Sequence, residues 1–158
     1  MKTATIQELK LEFNETSPAK LRQLCLHLAK FKKENKELLT YLLFESHDES
    51  TYIEQVQSII DEGFAELPKA NNYLTKKSLR KILRIINKHI KYMGSKQAEV
   101  QILIYFCRKL RGSKITFQKT TVLLNLYLQQ IKKTNAALAT LHEDLQYDFK
   151  QQLAELII

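Results

Sequence analysis

The chain has 158 residues, with 25 Lys and Arg against 17 Asp and Glu, which gives a formal net charge of +8. With 44% hydrophobic and 27% charged residues, it is too apolar for a disordered chain and too charged for a membrane protein. Three glycines and two prolines are too few for the frequent tight turns of all-β and repeated βα folds. We therefore expect one soluble all-α domain over residues 1–158, an antiparallel array of six to eight helices.

The first part of the chain predicts three helices. Residues 5–14 form a short amphipathic segment that we expect to pack as a lid. Ser17, a good N-cap, and Pro18, suited to the first helical position, start a second helix that runs to about Lys33. A third helix follows over about residues 35–45, with its first residue as the N-cap. The buried face of the second helix is expected to be Leu21, Leu24, Leu28 and Phe31.

The middle of the chain predicts three longer helices, over about residues 50–67, 72–93 and 96–112. Gly94 is placed to end the second of these as a left-handed C-cap. The third is apolar nearly all round across residues 102–106, which predicts the centre of the core.

The last segment, residues 116–158, contains no Gly or Pro and keeps one leucine-rich stripe in phase. A single helix of this length would measure about 60 Å, whereas a domain of this size is about 40 Å across. We favour a break near Thr134 and Asn135. A continuous helix would instead overhang the body and pair two chains into a homodimer through residues 136–156.

Residues 21–44 and 79–106 show a weak internal similarity, since each stretch predicts a helix, a short turn and a second apolar helix. Stacked helix pairs of this kind build α-α superhelices of the HEAT-like solenoid type. The alternative is that any two amphipathic helix pairs look alike, and the sequence leaves both open.

Two segments, Leu28–Leu39 and Leu141–Phe149, resemble a group of short, uncharacterised all-helical bacterial proteins, and the resemblance spans the whole chain. It implies a helical fold and a cytoplasmic origin, and it implies no activity, ligand or site.

The hydrophobic segments indicate a cytoplasmic protein with no membrane insertion. The longest apolar run, Ile102 to Cys107, is far shorter than the ~20 residues needed to cross a bilayer. Charged and amide side chains interrupt the first residues before an apolar stretch can form, whereas a secretion signal has a continuous apolar region. Cys25 and Cys107 lie among apolar residues, and we expect both to be buried thiols.

The charges are segregated along the chain. Residues 37–68 hold eight acids and no Lys or Arg, whereas residues 69–119 hold fourteen bases and one acid, Glu99. On the helix predicted for residues 72–93, seven cations fall within about 140° of arc opposite the apolar face. These candidate binding residues are Lys76, Lys77, Arg80, Lys81, Arg84, Lys88 and Lys91.

The sequence leaves three explanations open for this stripe of cations. The acidic helix over residues 50–67 could pair with it inside the fold, or water alone could solvate it. Nucleic acid is a second possibility, because phosphates attract clustered cations without a sequence motif, and Tyr73 and Tyr92 lie near enough to stack on bases. An acidic surface of another protein is the third, with anionic lipid as a minor variant because the opposite face of the helix is needed for the core. We expect a binding or scaffold protein with an acidic partner, and nucleic-acid binding is the alternative.

Enzymatic patterns are missing from the sequence. The four histidines, His27, His47, His89 and His142, show no metal-ligand spacing. Three glycines in the whole chain are too few to form a glycine-rich phosphate-binding loop. We therefore expect no enzyme activity, no catalytic residue, no metal and no cofactor.

Overall fold

The computed structural model describes residues 2–68, 71–113 and 115–157, and this part of the chain contains eight α-helices and no strand, so the all-α prediction is confirmed. The antiparallel order and the HEAT-like superhelix stay predictions. A π-helical turn covers Tyr41–Glu45 and a 3-10 turn covers Phe117–Lys119. The helices are α1 (Ile6–Glu15), α2 (Pro18–Phe31), α3 (Lys33–Thr40), α4 (Glu49–Ala65), α5 (Asn72–Met93), α6 (Lys96–Gly112), α7 (Thr121–Leu138) and α8 (Glu143–Ala154).

The chain divides into two compact units, Met1–Phe44 and Glu45–Ile158, which we call unit 1 and unit 2. The single domain over residues 1–158 stays a prediction beside this division.

Unit 1 contains α1, α2 and α3. As predicted, the Ser17 hydroxyl caps α2, accepting a hydrogen bond from the Lys20 amide at 3.3 Å. The third helix begins earlier than expected, at Lys33, and the Asn35 side chain donates to the Leu28 carbonyl at 2.9 Å instead of capping it.

The expected burial of the α2 apolar face is wrong. Leu24, Leu28 and Phe31 are 38%, 56% and 71% exposed. The physical reason is that α2 packs mainly on α3, a helix of only eight residues, which covers little of that face. The segment expected to act as a lid, α1, buries none of its residues.

Unit 2 is built around α6. This helix packs against α4, α5, α7 and α8, and nine of its 17 residues are buried. The prediction that residues 102–106 lie at the centre of the core is therefore confirmed for four of the five, Tyr105 being half-buried.

Local signals place α5 and α6 where the sequence predicts them. Asn71 caps α5 through its side chain, and Gly94 ends the helix in the left-handed region with φ 62°. The Ser95 hydroxyl then accepts from the Ala98 amide at 3.2 Å and starts α6. Close packing of α4 on α5 depends on Gly63, because a Cβ there would lie 2.7 Å from Ile82 Cγ1.

The C-terminal segment is broken, as favoured, but at residues 139–142. Thr134 and Asn135 stay helical within α7, which packs along α6, and Thr134 is fully buried there. Their side chains donate to carbonyls four residues back, at 2.8 and 3.1 Å. The homodimer through residues 136–156 stays a prediction, but several of its apolar residues are buried within unit 2, whereas Leu141 and Leu145 are half-buried and Tyr147 is 67% exposed. The buried ones are Ala137, Leu138, Phe149, Leu153 and Leu156.

Among the described residues, no helix is both long enough and apolar enough to cross a membrane. The cytoplasmic location stays a prediction.

Candidate functional site

The seven predicted cations share one side of α5, which we call the basic face. Lys77, Arg80, Lys81, Arg84 and Lys91 are exposed. The other two, Lys76 and Lys88, are half-buried. The basic face spans most of a 22-residue helix, about 33 Å long at 1.5 Å per residue.

The opposite side of α5 explains why these cations point away from the core. It buries Leu79, Ile82, Leu83, Ile86 and Ile90, and α5 uses this side to pack on α4 and α6. The 3.6-residue period then leaves the lysines and arginines on the uncovered side. Both ends of the helix are capped, so the basic face is held on a well-defined scaffold.

The acids of residues 37–68 do not neutralise most of the basic face. In the part of the chain that the structure describes, no carboxylate forms an ion pair with six of its cations: Lys76, Lys77, Arg80, Lys81, Arg84 and Lys91. Two acids of α4 are engaged elsewhere, since Asp61 pairs with Lys109 at 2.8 Å and Glu49 accepts from the Ser95 hydroxyl at 3.0 Å. Internal pairing with α4 therefore does not account for these six charges.

A shallow groove of about 570 Å³ lies along the basic face. Its lining consists of Tyr73, Lys76, Lys77, Ser78, Arg80, Lys81 and Arg84. Tyr73 is 73% exposed at the start of the groove, where a flat ligand can reach its ring. Tyr92, the other aromatic candidate, is half-buried and its ring meets His89 edge-on at 5.9 Å.

A polar cluster between α4 and α6 was not found by sequence reasoning. The Tyr105 hydroxyl donates to Asp61 at 2.9 Å, and Lys109 pairs with the same carboxylate while lying 5.4 Å from the Tyr105 ring centroid. Burial alone would raise the pKa of Asp61, but the hydrogen bonds from Lys109 and Tyr105 outweigh it and lower that pKa. Burial, followed by the bond to Asp61, raises the pKa of Tyr105.

This cluster lies beside a cavity of about 770 Å³ at the C-terminal ends of α4 and α6. Phe64, Leu67 and Ile115 give it an apolar wall, and Arg108 adds a second cation. The polar groups nearest to it already satisfy one another, so the arrangement stabilises the α4–α6 packing. The sequence signal was the four-residue spacing of Tyr105 and Lys109, which places both on one side of α6.

The single acid of the basic segment, Glu99, is buried and also has structural partners. Lys96 lies 2.8 Å and Lys133 3.4 Å from its carboxylate. Lys133 in turn donates to Asn87 of α5. This network ties α5, α6 and α7 together, because a buried carboxylate is stable only with such partners.

The cysteines differ from each other in environment. Cys107 is buried, and burial raises the pKa of its thiol to about 12. Cys25 is exposed, so its expected burial is wrong, and the cause is the uncovered face of α2. No group of three or more His, Cys, Asp and Glu side chains within residues 2–68, 71–113 and 115–157 is placed to hold a metal ion.

Comparison with known proteins adds no relative, since no family model, curated protein or solved structure matches the chain. The resemblance to short helical bacterial proteins stays a prediction. The chain's own surfaces therefore provide the clues to its function.

Proposed function

We propose that the chain is a non-enzymatic helical binding protein whose basic face docks on an acidic surface of another protein. The observation that supports this is the set of six cations on one helix with no paired carboxylate among the described residues. Like charges three or four residues apart destabilise a helix by a few tenths of a kcal/mol each. An anionic partner relieves that repulsion.

The geometry of α5 supports a docking role for this surface. The charges follow one side of a capped helix about 33 Å long, so their spacing is fixed before a partner arrives. Fixed, complementary charge raises the association rate and suppresses partners of the wrong sign. A partner surface with a matching row of carboxylates is complementary to the basic face.

Nucleic acid is a second candidate, and Tyr73 is the observation that favours it. The exposed ring of Tyr73 lies in the same groove as Lys76, Lys77 and Arg80. An aromatic ring beside cations is the combination that binds single-stranded nucleic acid, with stacking worth about 1–3 kcal/mol per base.

The test uses the triple reversal Lys77→Glu, Arg80→Glu and Arg84→Glu, which changes exposed residues only. A fluorescent poly-glutamate peptide and a fluorescent single-stranded oligonucleotide serve as probes over a salt series. The matched control applies the same charge change elsewhere in unit 2. It consists of Lys119→Glu, Lys132→Glu and Lys150→Glu, three exposed lysines outside the basic face.

An acidic protein partner predicts binding of poly-glutamate by the parent and the control and loss of binding by the triple reversal. Preferential binding of the oligonucleotide supports the second candidate, with an affinity that falls about 300-fold between 50 and 200 mM salt if six phosphates of the single strand are contacted. Replacing Tyr73 by Ala should then weaken oligonucleotide binding and leave poly-glutamate binding unchanged. Binding of neither probe at low salt would overturn both proposals.

A further inference from the structure

An apolar wall is open to solvent in the cavity of about 770 Å³ at the C-terminal ends of α4 and α6. Phe64, Leu67, Pro68 and Ile115 line it, and each of these residues is half-buried. The volume lies within the range of about 300–1,000 Å³ that is typical of ligand sites. The cavity therefore has room for a large apolar side chain.

The charged groups of this cavity favour an apolar ligand that carries acids beside it. Tyr105 and Lys109 both bind the Asp61 carboxylate, at 2.9 and 2.8 Å, so the charges of Asp61 and Lys109 cancel. Arg108 also lines the cavity, is exposed and donates to the Gln152 side chain at 3.4 Å. It forms no ion pair with a carboxylate of the described residues, so its positive charge is not balanced.

The cavity and the groove on the basic face meet at the first turn of α5. Asn72 and Thr75 line the cavity, whereas Tyr73 and Lys76 line the groove. Residues four apart on a helix are neighbours, with about 5–6 Å between their Cβ atoms, so Asn72 lies beside Lys76. Because Asn72 is exposed, a bound chain can pass over it from the cavity to the groove.

The basic face continues from this point along α5, away from the cavity. Lys91 lies about 23 Å beyond Lys76 at 1.5 Å per residue. An extended peptide covers this distance with about seven residues at roughly 3.4 Å each. A short segment can therefore follow the row of cations while its end residue lies in the cavity.

We propose that the partner of the basic face binds as an acidic segment with one large apolar side chain at its end, and that this side chain enters the cavity while the carboxylates follow α5. The inference rests on the proposed function, since it specifies the acidic surface that docks there. Burial of a Phe or Leu side chain strengthens binding roughly ten- to hundredfold. Side chains buried in such pockets dominate the affinity of protein interfaces, whereas exposed charges set the orientation.

Four capped peptides test this arrangement with the full chain. Two consist of eight glutamates with Phe at the N-terminal or the C-terminal end, because α5 leaves the direction of a bound chain open. The other two carry Ser in place of Phe. Isothermal titration calorimetry at 50 mM salt measures their affinity. One Phe peptide should bind roughly tenfold more tightly than its Ser control, with a more negative heat-capacity change because apolar surface is buried.

Blocking the cavity distinguishes this site from other apolar contacts of the Phe ring. Ala65 is exposed, lines the cavity and is the last residue of α4, so Ala65→Trp places an indole ring there. The variant should bind the Phe and Ser peptides equally. The matched control is Ala154→Trp, at an exposed alanine that is the last residue of α8, and it should keep the tenfold difference.

A second blocking variant guards against a change of fold in the first. Gly112 lines the cavity and has nothing within 4 Å of its Cβ position, so Gly112→Leu adds an apolar side chain without a clash at Cβ. Circular dichroism and Tm show that each variant folds. Gly112→Leu should also remove the advantage of the Phe peptide.

The outcomes separate this inference from the proposed function. Equal binding of the Phe and Ser peptides by the parent would overturn the apolar anchor and leave the acidic partner supported. A Phe advantage that survives in a folded blocking variant would overturn it too, because the ring would then bind elsewhere. Binding of none of the four peptides at low salt would overturn both proposals.

Discussion

Replacing Gly63 by Ala tests the packing of α4 on α5. Alanine is about 1 kcal/mol better than glycine inside a helix, so secondary structure alone predicts a gain in stability. The structure predicts a loss, because the new Cβ would lie 2.7 Å from Ile82 Cγ1 and 2.8 Å from its Cδ1. Real contacts to a Cβ essentially never fall below 3.0 Å, so something must move.

The size of the stability loss depends on how far the Ile82 side chain can move. Its side chain is 4% exposed on α5, and a β-branched residue in a helix has one strongly preferred χ1 rotamer. The Cδ1 atom can rotate away, but Cγ1 moves only if χ1 or the backbone moves. Overpacking of this kind costs about 1–3 kcal/mol. The better helix propensity of alanine offsets about 1 kcal/mol of this cost. We therefore expect the free energy of unfolding to fall by about 1 kcal/mol, which lowers Tm by about 2–4 °C.

Thermal and urea unfolding followed by circular dichroism measure this change. In an Ile82→Ala background both crowding atoms are gone, so Gly63→Ala should become stabilising by about 0.5–1 kcal/mol. Gly112→Ala in α6 is the matched control, because nothing lies within 4 Å of its Cβ, and it should cause no loss. A higher Tm for Gly63→Ala in the parent background would show that the two helices are not in close contact.

Two further substitutions and a thiol titration test other contacts in the chain. Tyr127→Phe should lower stability by about 1–3 kcal/mol, because it removes the 2.5 Å hydrogen bond to the buried Leu156 carbonyl; an unchanged urea midpoint would contradict this. Asp61→Asn should destabilise at neutral pH, and the difference should shrink as the pH falls through the lowered pKa of Asp61, since that carboxyl contributes only while ionised; a pH-independent difference would argue against the ion pair. In a native thiol titration Cys25 should react quickly and Cys107, with its pKa raised to about 12, should react only after unfolding; two fast thiols would show that α6 is not central.

The elements that sequence could predict are those with local signals. The bounds of α5 and α6 match the prediction because Gly94 and Ser95 carry their capping information within a few residues. The outward direction of the basic face also follows from helical period alone. The break before α8 lies later than predicted because α7 packs along α6 and buries Thr134, and the residue types do not reveal this packing.

The sequence could not predict whether another element packs on an apolar helix face. The stripe on α2 has the same spacing as a core helix, but Leu28 is 56% exposed because α3, the helix of unit 1 on which α2 mainly packs, has only eight residues. The cluster of Asp61 with Tyr105 was hidden for a related reason. Its members lie 44 residues apart, and only the packing of α4 on α6 brings them together.

The proposed contact of the basic face depends on charge, so its response to salt tests the proposal. The attraction between the cations of α5 and an anionic partner weakens as the Debye length falls from about 10 Å at 0.1 M salt to about 3 Å at 1 M. Binding of poly-glutamate should therefore weaken steadily over this range. An affinity that does not change with salt would show that the contact is not made through these charges.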